Sequence, residues 1–209
     1  MNDKLHTDIL PGEQLQLFEK LSVQPFISDF YLAGGTCLAL HIGHRRSIDF
    51  DFFIPSDFDT ARIIKELSDI GDYHRENEER NTINGSLNDV KISFFGYKYG
   101  IIDDFTCYNN IRLAGLRDIA AMKLEAIAGR GSKKDFVDLF FLLKRFGLEE
   151  IFSFHAAKYG TGLSNEYHHL KSLVYFVDAE AEAMPVMVEK ADWDHIKNHI
   201  VSCVRKIKL

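Results

Sequence analysis

The sequence predicts an α/β (α+β) protein: a lobe with a mixed sheet over residues 1–115, followed by a helical lobe over residues 116–209. Three observations carry this. Residues 31–53 read as strand, glycine turn, short helix and second strand; residues 73–106 read as a β meander; and almost everything from Leu116 onward has helical spacing. No long linker, repeat or low-complexity stretch divides the chain.

Pro11 opens a helix to about Leu21, with Leu15, Leu17, Phe18 and Leu21 as its apolar set, and Pro25 ends that pattern. Tyr31 to Ala33 is a short apolar strand. Gly34-Gly35 lets the backbone turn tightly and approach a ligand, and Thr36 is placed to cap a helix over Cys37–Ile42. Ile48 to Phe53 reads as a strand with Asp49 and Asp51 on one face and Ile48, Phe50 and Phe52 on the other. Pro55-Ser56-Asp57 is a stop signal with a capping residue ahead of a helix over Ala61–Ile70, whose apolar set is Ile63, Ile64 and Leu67 and which Gly71 ends. Asn84-Gly85 is a hairpin-type dipeptide, and Val90, Ile92 and Phe94 share one face of the strand that follows. Further helices are expected over 116–129, 134–146, 148–158, 165–179 and 192–206, separated by Gly, Ser and Pro.

Composition, 46% apolar and 27% charged, is that of a soluble globular protein. Cys37, Cys107 and Cys203 are odd in number and lie far apart, which suggests neither a disulfide framework nor a zinc site and fits a reducing cytosol. The N-terminus lacks the apolar core of a signal peptide and no run reaches membrane-span length, so a cytoplasmic protein without a membrane partner is expected. A net charge of −6 argues against a general nucleic-acid coat. Between Arg112 and Arg145, however, eight basic residues face four acidic ones, a local balance of +4 that allows a basic face.

The chemistry concentrates in residues 31–53. A helix start after a glycine turn offers free N–H groups to an anion. Strand geometry puts the Asp49 and Asp51 carboxylates roughly 6.5 to 7 Å apart, and two like charges so placed invite a cation. Mg²⁺, with Mn²⁺ as the alternative, is held by carboxylates together with substrate phosphates, so the pattern suits phosphoryl or nucleotidyl transfer. His44 and Arg45 read either as a polar helix end, where basic groups are favoured, or, for Arg45, as a group that orients a carboxylate or a phosphate. Lys123 sits on a helix stripe with Ile119 and Ile127; it either snorkels along apolar surface or aims its ammonium at a triphosphate between the lobes, with Arg130 seven positions on. Asp135 and Asp138 open the next helix, and Asp138 lies among Val137, Leu139, Phe140 and Phe141, where an unpaired carboxylate is costly.

Gly34-Gly35-Thr36 followed by Asp49-x-Asp51 resembles the polymerase-beta-like nucleotidyltransferase superfamily. A closer resemblance is to the AbiEii/AbiGii toxin family, with which Gly34-Gly35-Thr36, Gly43-His44-Arg45, Ser47 and Asp49-Phe50-Asp51-Phe52-Phe53 fall in step. Lys123, Arg130, Lys134-Asp135 and Asp138-Leu139 look like that family's later motifs, so the likeness covers about residues 25–145. The resemblance implies a polymerase-beta-like lobe and a toxin-like enzyme that moves NMP from an NTP to an acceptor hydroxyl with release of pyrophosphate. It also implies an RNA acceptor, particularly tRNA, and a cognate antitoxin protein. By resemblance Asp49 and Asp51 hold metal; Gly34, Gly35, Thr36, Arg45, Ser47, Lys123 and Arg130 hold the nucleotide; and Asp138 is an acid/base or metal-orienting group. One departure stands out. The superfamily's third carboxylate would fall near Ser93, which cannot act as a base, leaving Asp89 or Asp138 to do so. Rival expectations are transfer to a small molecule or a protein, and a catalytically impaired module that binds nucleotide or antitoxin.

Overall fold

The computed structural model describes residues 5–160 and 163–207. The first part of the chain contains α1 (Gly12–Ser22), β1 (Tyr31–Ala33), α2 (Gly34–Ile42), β2 (Phe50–Ile54) and α3 (Thr60–Ile70). The strands β3 (Tyr73–Glu79), β4 (Thr82–Leu87), β5 (Val90–Gly96), β6 (Thr106–Tyr108) and β7 (Ile111–Leu113) follow. Helices α4 (Leu116–Gly129), α5 (Lys133–Leu143), α6 (Leu148–Tyr159), α7 (Leu163–Ser172), α8 (Val177–Glu180) and α9 (Trp193–Val204) come after them among the described residues.

One seven-stranded mixed sheet has the order β3-β4-β5-β2-β1-β7-β6. Its register decides what meets at the site. Ala33 pairs with Asp51 across the antiparallel β1–β2 ladder, Asp51 with Ser93 across the parallel β2–β5 ladder, and Ser93 with Asn84 across β4–β5. These residues form one row across the sheet. The other face of β2 and β5 is apolar: Phe50, Phe52, Ile92 and Phe94 are buried, and the Phe52 and Phe94 rings stack 5.2 Å apart. Helices α2, α4 and α5 pack together behind the end of β1. Among the described residues no helix is long and apolar enough to cross a membrane.

Several local expectations shift. Helix α2 starts at Gly34 with Ala33 at the N-cap, so Thr36 lies inside the helix and does not cap it. Strand β2 starts at Phe50, leaving Asp49 just ahead of the ladder and Ile48 exposed. The cap of α3 is Asp59, which accepts from the Arg62 amide at 3.2 Å, while Asp57 accepts from Arg80 and Asn81. Asn84-Gly85 is not a turn but part of β4. The hairpins turn instead at Asn81 (φ 60°) and at Asn88-Asp89 (φ 50° and 63°), where left-handed backbone is tolerated by Asn and Asp. Gly85 is in the strand because a side chain there would run into the His74 carbonyl and the Tyr73 hydroxyl of β3. The helix expected over 165–179 breaks after Ser172, where the Val174 and Tyr175 amides make tighter bonds to carbonyls three residues back. The helix expected over 134–146 ends as α5 at Leu143.

Candidate active site

The glycine turn is dictated by crowding. Gly34 has φ +74°, and a Cβ there would sit 3.1 Å from Asp51 Oδ2. A Cβ on Gly35 would overlap Arg45 Nη2 and lie 3.4 Å from Asp138 Oδ2. The Thr36 side chain works across the turn: its hydroxyl donates to the Asp49 carbonyl and lies 2.7 Å from the Ser47 hydroxyl, both buried. This ties the loop before β2 to the start of α2 and so fixes where Asp49 stands. The same loop is held from its other side, where the Arg46 amide donates to the Val186 carbonyl at 2.8 Å and the Val188 and Glu189 amides donate to the His44 carbonyl.

Gly35, Thr36, Arg45 and Ser47 line one cleft with Asp49 and Asp51, and Lys123 and Arg130 reach it from α4 and its end. Gly34 lies outside the cleft lining and stands against the Asp51 side chain. The cleft also contains Asn84, Lys91, Ser93, Phe95 and Lys134. Of these, Lys91 and Phe95 were legible as the opposite face of the alternating strand that buries Val90, Ile92 and Phe94, because residues 91, 93 and 95 share a side. Asn84 enters only through the β4–β5 register. Lys134, the second residue of α5, places its ammonium 3.6 Å from Asp49 Oδ2. Asp89 lies in the exposed β4–β5 turn, away from the cleft lining.

Asp138 is placed differently. It is fully buried, and four donors fill its two oxygens. His44 Nε2 and Arg45 Nε meet Oδ1 at 2.8 and 2.7 Å, while Arg45 Nη2 and Lys123 Nζ meet Oδ2 at 2.9 and 2.6 Å. Arg45 therefore orients a carboxylate by a two-pronged bond. Burial pushes the Asp138 carboxyl up, but the Lys123 and Arg45 charges outweigh it and hold the group well below the usual carboxylate range. The lysine does not snorkel, since its ammonium is buried and shared with Asp135 at 2.9 Å. Asp135 is held in turn by Arg130 and by the Ser132 hydroxyl at 2.6 Å, and its carboxyl is likewise pushed far down, by Lys123 and Arg130 against the effect of burial. The chain of contacts thus runs from Arg130 through Asp135, Lys123 and Asp138 to Arg45 and His44.

Asp51 is the opposite case. Burial, then the neighbouring Asp49 charge, push its carboxyl up, and the cations Arg130, Lys123 and Lys134 only partly offset this. Two carboxylates side by side in the lining of one cleft, with the charge of Asp51 disfavoured where it stands, fit a hard divalent cation.

A profile of the family described as "Nucleotidyl transferase AbiEii toxin, Type IV TA system" matches residues 16–104 and 101–206. The chain belongs to the AbiEii family. An uncharacterized protein of Aquifex aeolicus (strain VF5) is 40% identical over 179 residues, covering 83% of this chain and 86% of that protein. Two solved structures share the fold. JHP933 from Helicobacter pylori has a TM-score of 0.57 at 18% identity, with 94% of this chain and 92% of that chain covered. MenT4, a nucleotidyltransferase toxin of Mycobacterium tuberculosis H37Rv, has a TM-score of 0.52 at 12% identity, with 95% and 87% covered. The resemblance drawn from residues 31–53 and 123–139 is therefore matched by the AbiEii profile along most of the chain, and this AbiEii protein is a toxin-type nucleotidyltransferase.

Proposed function

We propose that the cleft binds an NTP with Mg²⁺, or Mn²⁺, and transfers NMP to an acceptor hydroxyl on RNA, particularly tRNA, releasing pyrophosphate. The observation that carries this is the approach of Asp49 and Asp51 to the Gly34-Gly35 helix start inside a rim of Arg130, Lys123 and Lys134. Residues 1–115 would carry the nucleotide and the metal pair, and residues 116–209 would close the site with cations.

Asp49 and Asp51 are the groups that would hold the divalent ion, which when bound neutralises phosphate oxygens and the charge that develops during transfer. The backbone N–H groups of Gly35 and Thr36, unpaired within the first turn of α2, are suited to phosphate oxygens. Lys123 and Arg45 are locked in direction by Asp138 before substrate arrives, so they meet developing charge without reorganising. Asp138 then acts as a positioning residue: an ionised carboxylate with both oxygens filled has no free lone pair for a hydroxyl proton. Ser47, through the Thr36 hydroxyl, positions the turn. Ser93 stands beside Asp51 and can hydrogen-bond an acceptor but not take its proton, so transfer rests on placement and charge.

The exposed basic residues of the 112–145 stretch, Arg117, Arg130, Lys134, Lys144 and Arg145, suit an RNA acceptor, whereas Lys123 and Lys133 are buried and give it nothing; the family description supports a cognate antitoxin protein. The free thiols Cys37, Cys107 and Cys203 suit the reducing cytoplasm. A second reading, in which the site holds nucleotide or antitoxin with little turnover, rests on Ser93. Incubation of the protein with Mg²⁺, each labelled NTP and a total RNA pool tests both. Label in RNA supports transfer to RNA; label in protein or small molecules moves the acceptor; binding without label transfer favours the second reading.

A further inference from the structure

Away from the cleft, three helices converge on a group that nucleotidyl transfer does not use. Glu125 lies two residues past Lys123 on α4, roughly 200° around the helix and so on its far side. His155 of α6 and His169 of α7 both bring Nε2 to the same Glu125 oxygen, Oε1, at 2.6 and 2.8 Å. Both imidazoles are nearly buried and their centroids lie 4.5 Å apart, whereas the glutamate side chain is 46% exposed.

We propose that Glu125, His155 and His169 form a binding site for a Zn²⁺-type transition-metal ion that fastens α7 to α4 and α6. The donor set, two imidazoles and a carboxylate, is a zinc set, with a fourth position left to water. The three ligand atoms lie within 4.8 Å of one another. Tetrahedral coordination at bond lengths of about 2.0 to 2.1 Å needs ligand atoms about 3.4 Å apart. The two Nε2–Oε1 contacts must therefore open by under an ångström, a movement the half-exposed Glu125 can supply, while the two Nε2 atoms, no more than 4.8 Å apart, settle to the same spacing. The exposed side of Glu125 also gives the ion an entry path. A single divalent ion at this point takes the place of the Nε2–H bonds to Glu125 and binds all three groups at once, with the ring proton of each imidazole then on Nδ1. The site carries no Cys-based zinc spacing, because its ligands are spread over three helices and include no cysteine.

The test uses untagged, chelator-treated full-length protein carrying Asp49→Asn and Asp51→Asn, so that the other acidic pair does not bind metal. Zn²⁺ and Co²⁺ are titrated by calorimetry, with visible absorption of the Co²⁺ form and thermal unfolding with and without Zn²⁺. The expected result is one ion per chain, intense four-coordinate Co²⁺ bands, proton release and a higher Tm with Zn²⁺. His169→Asn should abolish the Co²⁺ bands. Glu125→Gln, which keeps the shape of a half-exposed side chain, should leave the fold intact while weakening affinity at least tenfold. Absence of stoichiometric binding, or unchanged affinity in Glu125→Gln, would overturn the proposal and leave the cluster as a carboxylate hydrogen-bonded to two histidines.

Discussion

Gly35 and Arg45 are packed so that any side chain on the glycine would occupy the space of the Arg45 guanidinium. The glycine thus leaves Arg45 room to reach Asp138, and through Asp138 the same contact reaches Lys123. Gly35→Ala is expected to cost about 1 to 3 kcal/mol by overpacking. Displacing Arg45 by even an ångström should lower transfer on the order of 10²-fold. Thermal unfolding together with labelled-nucleotide transfer measures both; an alanine variant with normal activity would show that Arg45 orientation is immaterial.

Asp138→Asn should be costly in two ways. The amide leaves Lys123 and Arg45 short of a buried counter-charge, a loss of about 3 to 5 kcal/mol for a broken buried ion pair. Because Asp138 positions two cleft cations, transfer should fall while Mg²⁺-dependent nucleotide binding survives in weakened form. Asp89→Asn, in the exposed β4–β5 turn, should leave activity unchanged. Loss of activity in Asp89→Asn with normal activity in Asp138→Asn would contradict the positioning role of Asp138 and place an acid/base group on the sheet.

The metal pair gives the converse pattern. Asp51→Asn removes a carboxylate that burial and Asp49 both disfavour, so thermal stability should hold or rise while turnover falls well beyond the roughly 10- to 100-fold typical of outer-sphere losses. Asp49→Asn should match it in activity, with Lys134 losing a partner 3.6 Å away. Transfer at the normal rate in both variants would remove Asp49 and Asp51 from the site.

Stability should fall with acid in two stages. His44 is held below its ordinary value, chiefly by burial, although Asp138 pulls it back up. Its unfolded form therefore takes a proton first, and stability begins to decline as pH drops below about 6.5. Asp135 and Asp138 have depressed carboxyls, so their contribution is present in full above about pH 4 and is lost as pH falls toward their folded values. Denaturant unfolding at successive pH values should show both declines, and His44→Gln should flatten the first while leaving the second. A stability curve that is level from pH 7 to pH 4 would contradict the assignment.

What could be read from the sequence was what is local in the chain. Gly34-Gly35 and Asp49-x-Asp51 stood out because the turn, the short helix and the strand are contiguous, and Lys123 stood out as a charge on an apolar stripe. Where Lys123 points was not legible, since that depends on how α5 lies on α4: the ammonium reaches the cleft edge but is bonded to Asp135 and Asp138. The row Asn84, Ser93, Asp51 depends on strand register, and Glu125, His155 and His169 on three-helix packing. Asn84-Gly85 has turn-type chemistry without a turn for a related reason: Gly85 stands in β4 where a side chain would meet the Tyr73 ring and hydroxyl of the neighbouring strand.

The most direct test of the nucleotidyl-transfer site compares NTP labelled at the α-phosphate with NTP labelled at the γ-phosphate, each incubated with Mg²⁺ and RNA, in the natural protein and in Asp51→Asn. The expected result is α-label in RNA, γ-label released as pyrophosphate, and neither with Asp51→Asn. Transfer of the γ-label to the acceptor, or equal α-label transfer by Asp51→Asn, would contradict it.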